Sequence, residues 1–212
     1  MMRLLSVNVG LPKPVDFGSR TVTTGFYKTP VTGPVRLSRT DLEGDGQASR
    51  DVHGGADKAV YAYPHEHYEF WRHELPGVEL SPGAFGENLT ITGLLEHDAH
   101  IGDELQFGDA VMVITQPRLP CFKMALKFGR SDIQKRFLES GRSGFYLSVV
   151  REGTLEAGTD FVRTKSDPVG LSIAELLALY ALEEICPDVL ERVMRVKALP
   201  EEWREALRKR SG

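Results

Sequence analysis

Cys121 lies in the stretch QPRLPCFKM, residues 116–124, directly after Pro120, with Arg118 three positions before it and Lys123 two after. Nearby positive charge favours the ionised sulfur, the form that attacks electrophiles and binds metals. The surroundings therefore point to a thiolate; a thiol packed under the loop is the plain alternative. An arginine in such a loop also holds phosphate or carboxylate through its planar fork. Arg118, taken with Arg142 in SGRSGFY (140–146), suggests an anionic ligand beside the sulfur. The second cysteine, Cys186, precedes Pro187 with no cation close in sequence and reads as a small buried side chain.

Two further glycine-marked loops, GDGQASRDVHGGADKAV (44–60) and GAFGENLT (83–90), share this mixture of special backbone and polar side chains. His53 precedes Gly54-Gly55, where a ligand can approach the backbone and meet an exposed imidazole; a turn histidine bonded to a neighbouring carbonyl fits equally well. Glu87 and Asn88 offer an acceptor and an amide to a polar ligand, or else close a strand-entry turn. His65, His67 and His73 lack the i, i+4 spacing of a zinc helix and read as solvated or packing residues. No loop matches a nucleotide-phosphate fingerprint.

These loops need a scaffold. LLSVNV (4–9), AVMVITQ (110–116) and FYLSVV (145–150) read as strands among recurring glycines and prolines, predicting a β-rich domain over residues 1–166. Two helices are expected inside it, at about 64–75 and 131–140, the second capped by Gly141. The composition changes near Ser166-Asp167-Pro168. Beyond it, 171–182, 188–196 and 199–210 carry helical periodicity, Ser172 with Glu175 makes a capping box, and 167–212 is expected to form a small domain of three short helices. Two cysteines without a CxxC pair argue against a disulfide framework and structural zinc. The net charge of −4 argues against a nucleic-acid binder dominated by phosphate contacts. No secretory signal and no long apolar run appears, so a cytoplasmic protein with no membrane association is expected.

In order and spacing, DVHGGADKAVYAYPHEHYEFW, GAFGENLT, HIGDELQFGDAVMVITQPRLPCFKM and SGRSGFYLSVV resemble the MOSC domain, named for the C-terminal domain of molybdenum cofactor sulfurase. The tail LSIAELLALYALEEICPDVLERVMRVKALPEEWREALRKR is similar to the three-helix domain that follows MOSC in the YiiM-like subfamily, and the whole match runs from about residue 3 to 210. HGGADKAV, FGENL and QPRLPC together form the specific part of the pattern.

The resemblance implies a mainly β fold with some α, a MOSC-type β-barrel followed by the helical domain. It also implies a molybdenum cofactor (Mo-molybdopterin) with Cys121 as the protein ligand to the metal. Carried over, His53, Lys58, Glu87, Asn88, Arg118, Lys123, Arg142 and Ser143 would line the cofactor cleft, with His53 as a proton source beside Cys121. Members of this family are linked to reduction of small N-hydroxylated substrates, such as 6-N-hydroxylaminopurine, to amines. The chain has no flavin, haem or iron–sulfur motif, so a separate electron-donor reductase is implied.

Two other readings stand beside this one. Cys121 could carry a persulfide as a sulfur carrier, in keeping with the domain's namesake, a pyridoxal-phosphate-dependent sulfurase. Alternatively the chain is a non-catalytic binding module whose basic end (Arg204, Arg208, Lys209, Arg210) meets nucleic acid or protein, although a solvated helix terminus also explains that charge. The apolar face of Leu171–Leu182 is expected to dock on the barrel or on a second subunit, and a homodimer is the expected assembly.

Overall fold

The structure is a computed structural model and describes residues 1–18, 20–46 and 55–210. Among these, the strands are β1 (Met2–Val9), β2 (Lys13–Phe17), β3 (Arg20–Thr24), β4 (Thr29–Pro30), β5 (Val35–Leu37), β6 (Val60–Pro64), β7 (Leu89–Thr92), β8 (Glu104–Phe107), β9 (Ala110–Pro117), β10 (Phe145–Arg151), β11 (Gly153–Leu155) and β12 (Asp160–Lys165). The helices are α1 (His67–Glu74), α2 (Phe122–Phe128), α3 (Ile133–Glu139), α4 (Ile173–Ala181), α5 (Pro187–Met194) and α6 (Glu201–Arg208), with a short 3-10 turn at Ala56–Lys58.

Seven strands form a closed barrel in the order β12-β8-β9-β10-β6-β7-β1. Closure comes from β1 against β12, with Met2 opposite Phe161 and Arg3 opposite Asp160. Every neighbouring pair in the ring is antiparallel except β6 and β7, which run parallel from Ala62–Leu89 to Pro64–Ile91. Closing the ring satisfies backbone groups that an open sheet would leave at its edges. The β2–β3 hairpin and the β5–β11 pair lie outside it, and β4 extends β1.

β6 shows how the sequence sets the packing. Its residues VYAYP are all buried, and side chains alternate across a strand. Val60 and Ala62 enter the barrel interior, whereas Tyr61 and Tyr63 enter a second, aromatic cluster built from Tyr68, Trp71, Phe85, Phe128 and Phe137. A strand buried on both faces reads as a continuous apolar run rather than an alternating one. The aromatic cluster packs α1, α2 and α3 onto one side of the barrel.

The C-terminal helices share the first core. Leu171, Ile173, Leu176, Val193, Trp203 and Leu207 pack in one cluster with Leu105, Met112 and Phe161 of the barrel, so the apolar face of α4 docks on the barrel. Ser172 caps α4 by accepting the Glu175 N–H at 3.1 Å, and Pro187 opens α5 in its first turn, as the sequence pattern predicts. The basic end is internally bonded: Arg208 pairs with Glu201 at 2.7 Å, Arg204 donates to the Leu199 and Met194 carbonyls, and Arg210 lies over Tyr180.

Several expectations are corrected here. α1 starts at His67 rather than near residue 64, because β6 continues through Pro64 and the His65 N–H donates to the Ile91 carbonyl at 2.7 Å. QPRLPCFKM is not a loop throughout: α2 begins directly after Cys121 and ends at Gly129, which takes the left-handed conformation at φ 65°. Cys186 is exposed rather than buried, since it caps α5 on the solvent side. His67 is a packing residue, its Nε2 lying 3.0 and 2.8 Å from the two oxygens of Glu96. Among the described residues no helix is long and apolar enough to cross a membrane.

Candidate functional site

β9 ends at Pro117, and the next four residues turn off the barrel rim to place Cys121 at the cap of α2. The Met124 N–H donates to the Cys121 carbonyl at 3.0 Å, while Met124 and Phe128 anchor the helix in the aromatic cluster. The thiol thus sits on a braced turn and stays partly exposed. Such bracing holds a metal-binding or nucleophilic sulfur in one direction.

Two cavities meet at that sulfur. The narrower, of about 70 Å³, is lined by Lys28, Lys58, Asn88, Arg118, Lys123 and Tyr146 together with Gly25, Gly46 and Gly86. Gly86 has φ +78°, and a Cβ there would lie 2.9 Å from the Phe26 ring, so only glycine lets the wall close against Phe26. The wider cavity, of about 400 Å³, is lined by Gln116, Leu119, Pro120, Tyr180, Glu202 and Trp203. Cys121, Lys58 and Tyr146 border both.

The narrow cavity is strongly cationic, and its charges are not equivalent. Lys28 pairs with Asp45, which also accepts from the Gly10 N–H at 2.9 Å and from Asn88 Nδ2 at 2.8 Å. Lys58 pairs with Glu202 at 2.6 Å. Arg118 and Lys123, only 7% and 9% exposed, have no carboxylate partner among the described residues. Arg118 donates to the Phe85 carbonyl at 3.1 Å and lies 4.5 Å over the Tyr61 ring and 5.1 Å over the Phe26 ring. Burial works against its charge, but the phenols of Tyr146 and Tyr61 and the Cys121 thiol outweigh it and push its pKa upward, so Arg118 stays a cation. Burial pulls the pKa of Lys123 down, with Cys121 opposing and Arg118 reinforcing the shift. Buried cations without a carboxylate are costly unless an anion completes them.

The expected site residues divide clearly. Cys121, Lys58, Asn88, Arg118 and Lys123 come together around the narrow cavity. Asn88 acts in its wall, accepting the Tyr61 N–H at 3.1 Å through Oδ1. Glu87 lies behind the wall, fully buried, and accepts from the N–H groups of Gly83 (2.8 Å) and Phe85 (3.0 Å), from Thr90 (2.9 Å) and from the Tyr68 hydroxyl. Ser143 contributes its carbonyl, which accepts the Tyr61 hydroxyl at 2.7 Å. Arg142 points into a separate groove with His67 and Glu96 and stacks 3.9 Å over Phe70. His53 lies outside the described residues.

Sequence reasoning missed Lys28, Tyr180, Glu202 and Trp203, whereas Tyr146 ends the SGRSGFY loop expected to line the cleft. Tyr146 had a usable signal: the SGRSGFY loop feeds straight into β10, and pairing of Tyr146 with Gln116 sets it beside the segment that leads to Cys121. Lys28 and the residues of α4 and α6 reach the site only through long-range packing.

No group of three or more His, Cys, Asp or Glu side chains arranged to hold a bare metal ion occurs among the described residues. A metal that arrives with its own sulfur donors needs only one soft protein ligand. One accessible thiol, two buried cations without a carboxylate partner among the described residues and a cavity of about 400 Å³ fit such a group when it also carries an anionic arm.

Comparison with known proteins shows the family of the chain. The sequence model of the MOSC domain matches residues 49–162, and that of the YiiM-like 3-alpha helix domain matches residues 171–210. An uncharacterized protein of Bacillus subtilis, YflK, is 38% identical over 98% of this chain and 93% of its own. A protein of Gibberella moniliformis named reductase is 37% identical over 73% of this chain, which spans only 28% of that protein. The crystal structure of YiiM from Geobacillus stearothermophilus superimposes with a TM-score of 0.83 at 36% identity, covering 100% of both chains.

Proposed function

Because the chain belongs to the MOSC domain family and ends in the YiiM-like three-helix domain, we propose that it is a molybdenum-cofactor-dependent oxidoreductase reducing N-hydroxylated compounds to amines. The observation that carries this reading is the pair of buried cations, Arg118 and Lys123, flanking the Cys121 thiol with no carboxylate to balance them among the described residues. A relative named reductase supports the oxidoreductase class.

Bound there, the cofactor would supply the two electrons needed for reductive cleavage of an N–O bond. The chain's own residues divide the remaining tasks. Cys121 Sγ would hold the metal from the rim turn, and Arg118 and Lys123 would neutralise the cofactor's anionic groups. Asn88, fixed by Asp45 and the Tyr61 N–H, keeps the cavity wall in place while these charges are engaged. Conversion of an N–OH compound to an amine and water takes up two electrons and two protons. Electrons come from a separate reductase protein, and the length of the fungal relative outside the matched segment is compatible with such a module in a longer chain.

The test is molybdenum and pterin content of protein made in a cofactor-competent host, wild type against Cys121→Ala, followed by turnover of 6-N-hydroxylaminopurine with an artificial reductant. Stoichiometric molybdenum in the wild type, lost together with turnover in the variant, is the expected result. A labile sulfur on Cys121 without molybdenum would replace this reading with that of a sulfur carrier.

A further inference from the structure

We propose that the β2–β3 hairpin is a strap across the mouth of the narrow cavity, fixed at its base and lightly caught at its tip, that controls which molecules reach the Cys121 thiol. Such a strap acts on any ligand of the cavity and does not require molybdenum.

The two ends of the hairpin straddle the sulfur. β3 runs into Gly25, which lines the narrow cavity together with Cys121. At the other end the Phe17 ring meets the ring of Phe122, the residue after Cys121, at 6.3 Å. The five residues of β2 carry the chain about 17 Å from base to tip. The base is fixed by backbone packed on backbone. A Cβ on Gly10 would lie 2.4 Å from the Tyr27 carbonyl oxygen, and one on Gly25 would lie 2.2 Å from that of Gly46. The Gly10 N–H also donates to Asp45 at 2.9 Å, and its carbonyl accepts the Gly46 N–H at 3.2 Å.

Beyond that base the hold weakens. β2 and β3 pair with each other in a sheet of their own, apart from the barrel strands. Side chains alternate across a strand, and the register sets Lys13, Val15 and Phe17 on one face with Thr24, Val22 and Arg20. Phe17 touches Phe122 and Lys13 Nζ lies 5.0 Å over the Tyr27 ring, so this face is turned toward the body of the protein. Its burial falls along the strap: Thr24 is fully buried, Val15 and Val22 are half-buried, and Phe17 is 39% exposed. Phe122, on the other side of the catch, is itself 44% exposed. The opposite face, with Pro14, Asp16, Thr21 and Thr23, is exposed and mostly polar, so it offers little for a partner protein to bury. A two-stranded hairpin has little stability of its own. An apolar underside that loses cover toward the tip therefore makes a lever that lifts from the Phe122 end.

The test uses the cofactor-free, full-length chain in a Cys186→Ser background, which leaves Cys121 as the one thiol of the two in the sequence. Alkylation of Cys121 is timed with iodoacetamide, a small reagent, and with fluorescein maleimide, a bulky one. Loss of the ring pair in Phe17→Ala is expected to raise the rate with the bulky reagent about fivefold and that with iodoacetamide less than about twofold. Phe122→Ala, which removes the other half of the catch, should reproduce this gain, and the double variant should exceed neither. Hydrogen exchange gives an independent measure: amides of β2 and β3 should exchange faster than those of β9, and faster again in Phe17→Ala while β9 stays unchanged. Hairpin amides that exchange as slowly as β9, no gain in Phe17→Ala, or an equal gain for both reagents overturns the proposal. Failure of the molybdenum reading appears separately, as absent metal, and leaves these rates as they are.

Discussion

The Glu87 carboxylate has no solvent contact and gathers four donors, two of them the backbone N–H groups of Gly83 and Phe85. Because the Phe85 carbonyl in turn accepts from Arg118, Glu87 fixes the loop on which the buried guanidinium rests. Glu87→Gln puts an N–H₂ where an acceptor oxygen was and leaves one of those donors unpaired. It is expected to lower stability by about 1–3 kcal/mol in urea unfolding. An unchanged midpoint would mean that the carboxylate is not needed as an acceptor. Lys127 gives a pH prediction. Its pKa falls to about 8 from 10.5, first through burial, with Glu87 opposing and Arg118 and Lys13 reinforcing the fall. Between those values the unfolded chain holds a proton that the folded chain has released, so folded stability rises with pH across the window. Measured against Lys127→Met, the wild type should gain stability as pH is raised from about 8 to 10.5, and a constant difference would refute the assignment.

At the scale of elements, α2 is the helix that aims the thiol, and its end depends on one backbone conformation. Gly129 adopts φ 65° with nothing within 4 Å of a Cβ position, so a side chain there meets strain without a clash. Gly129→Ala should therefore cost about 1 kcal/mol and Gly129→Asn less, by urea midpoints. Equal costs would show that the left-handed cap does not hold. This element was the one hidden in the sequence. Pro117, Pro120 and the flanking cations read as loop chemistry, and the helix that follows is too short to show its period, although Met124 and Phe128 are one turn apart. By contrast β1, β9, β10 and the three C-terminal helices were legible, because each carries a long apolar pattern or a cap such as Ser172. The site was half legible. Cys121, Arg118, Lys123, Asn88 and Tyr146 stand in marked loops, whereas Lys28 and Trp203 join them through packing that no local pattern announces.

At the scale of the molecule, the barrel interior and the C-terminal helices form one apolar cluster, and Trp203 bonds directly to Gln116 of β9. Ending the chain after Lys165 would remove Leu171, Ile173, Leu176, Trp203 and Leu207 from this cluster and leave the apolar surface they pack on open to water. The full chain should accordingly unfold in a single calorimetric transition, and the shortened chain should lose cooperative unfolding. Two separate transitions in the full chain would show that the helices fold on their own.

The ring of seven strands has a consequence in simple parity. Neighbours in a closed ring can all alternate in direction only if their number is even, so an odd ring must contain at least one pair running the same way. Here that pair is β6 and β7, and two strands pointing the same way cannot be joined by a hairpin; the chain must travel back across the barrel between them. Residues 65–88 make that return journey. They carry α1, the Tyr68, Trp71 and Phe85 side chains of the aromatic cluster and, at their end, Gly86 and Asn88 of the narrow cavity's wall. An odd strand count thus obliges the barrel to keep a long excursion at the place where its buried cations need a wall.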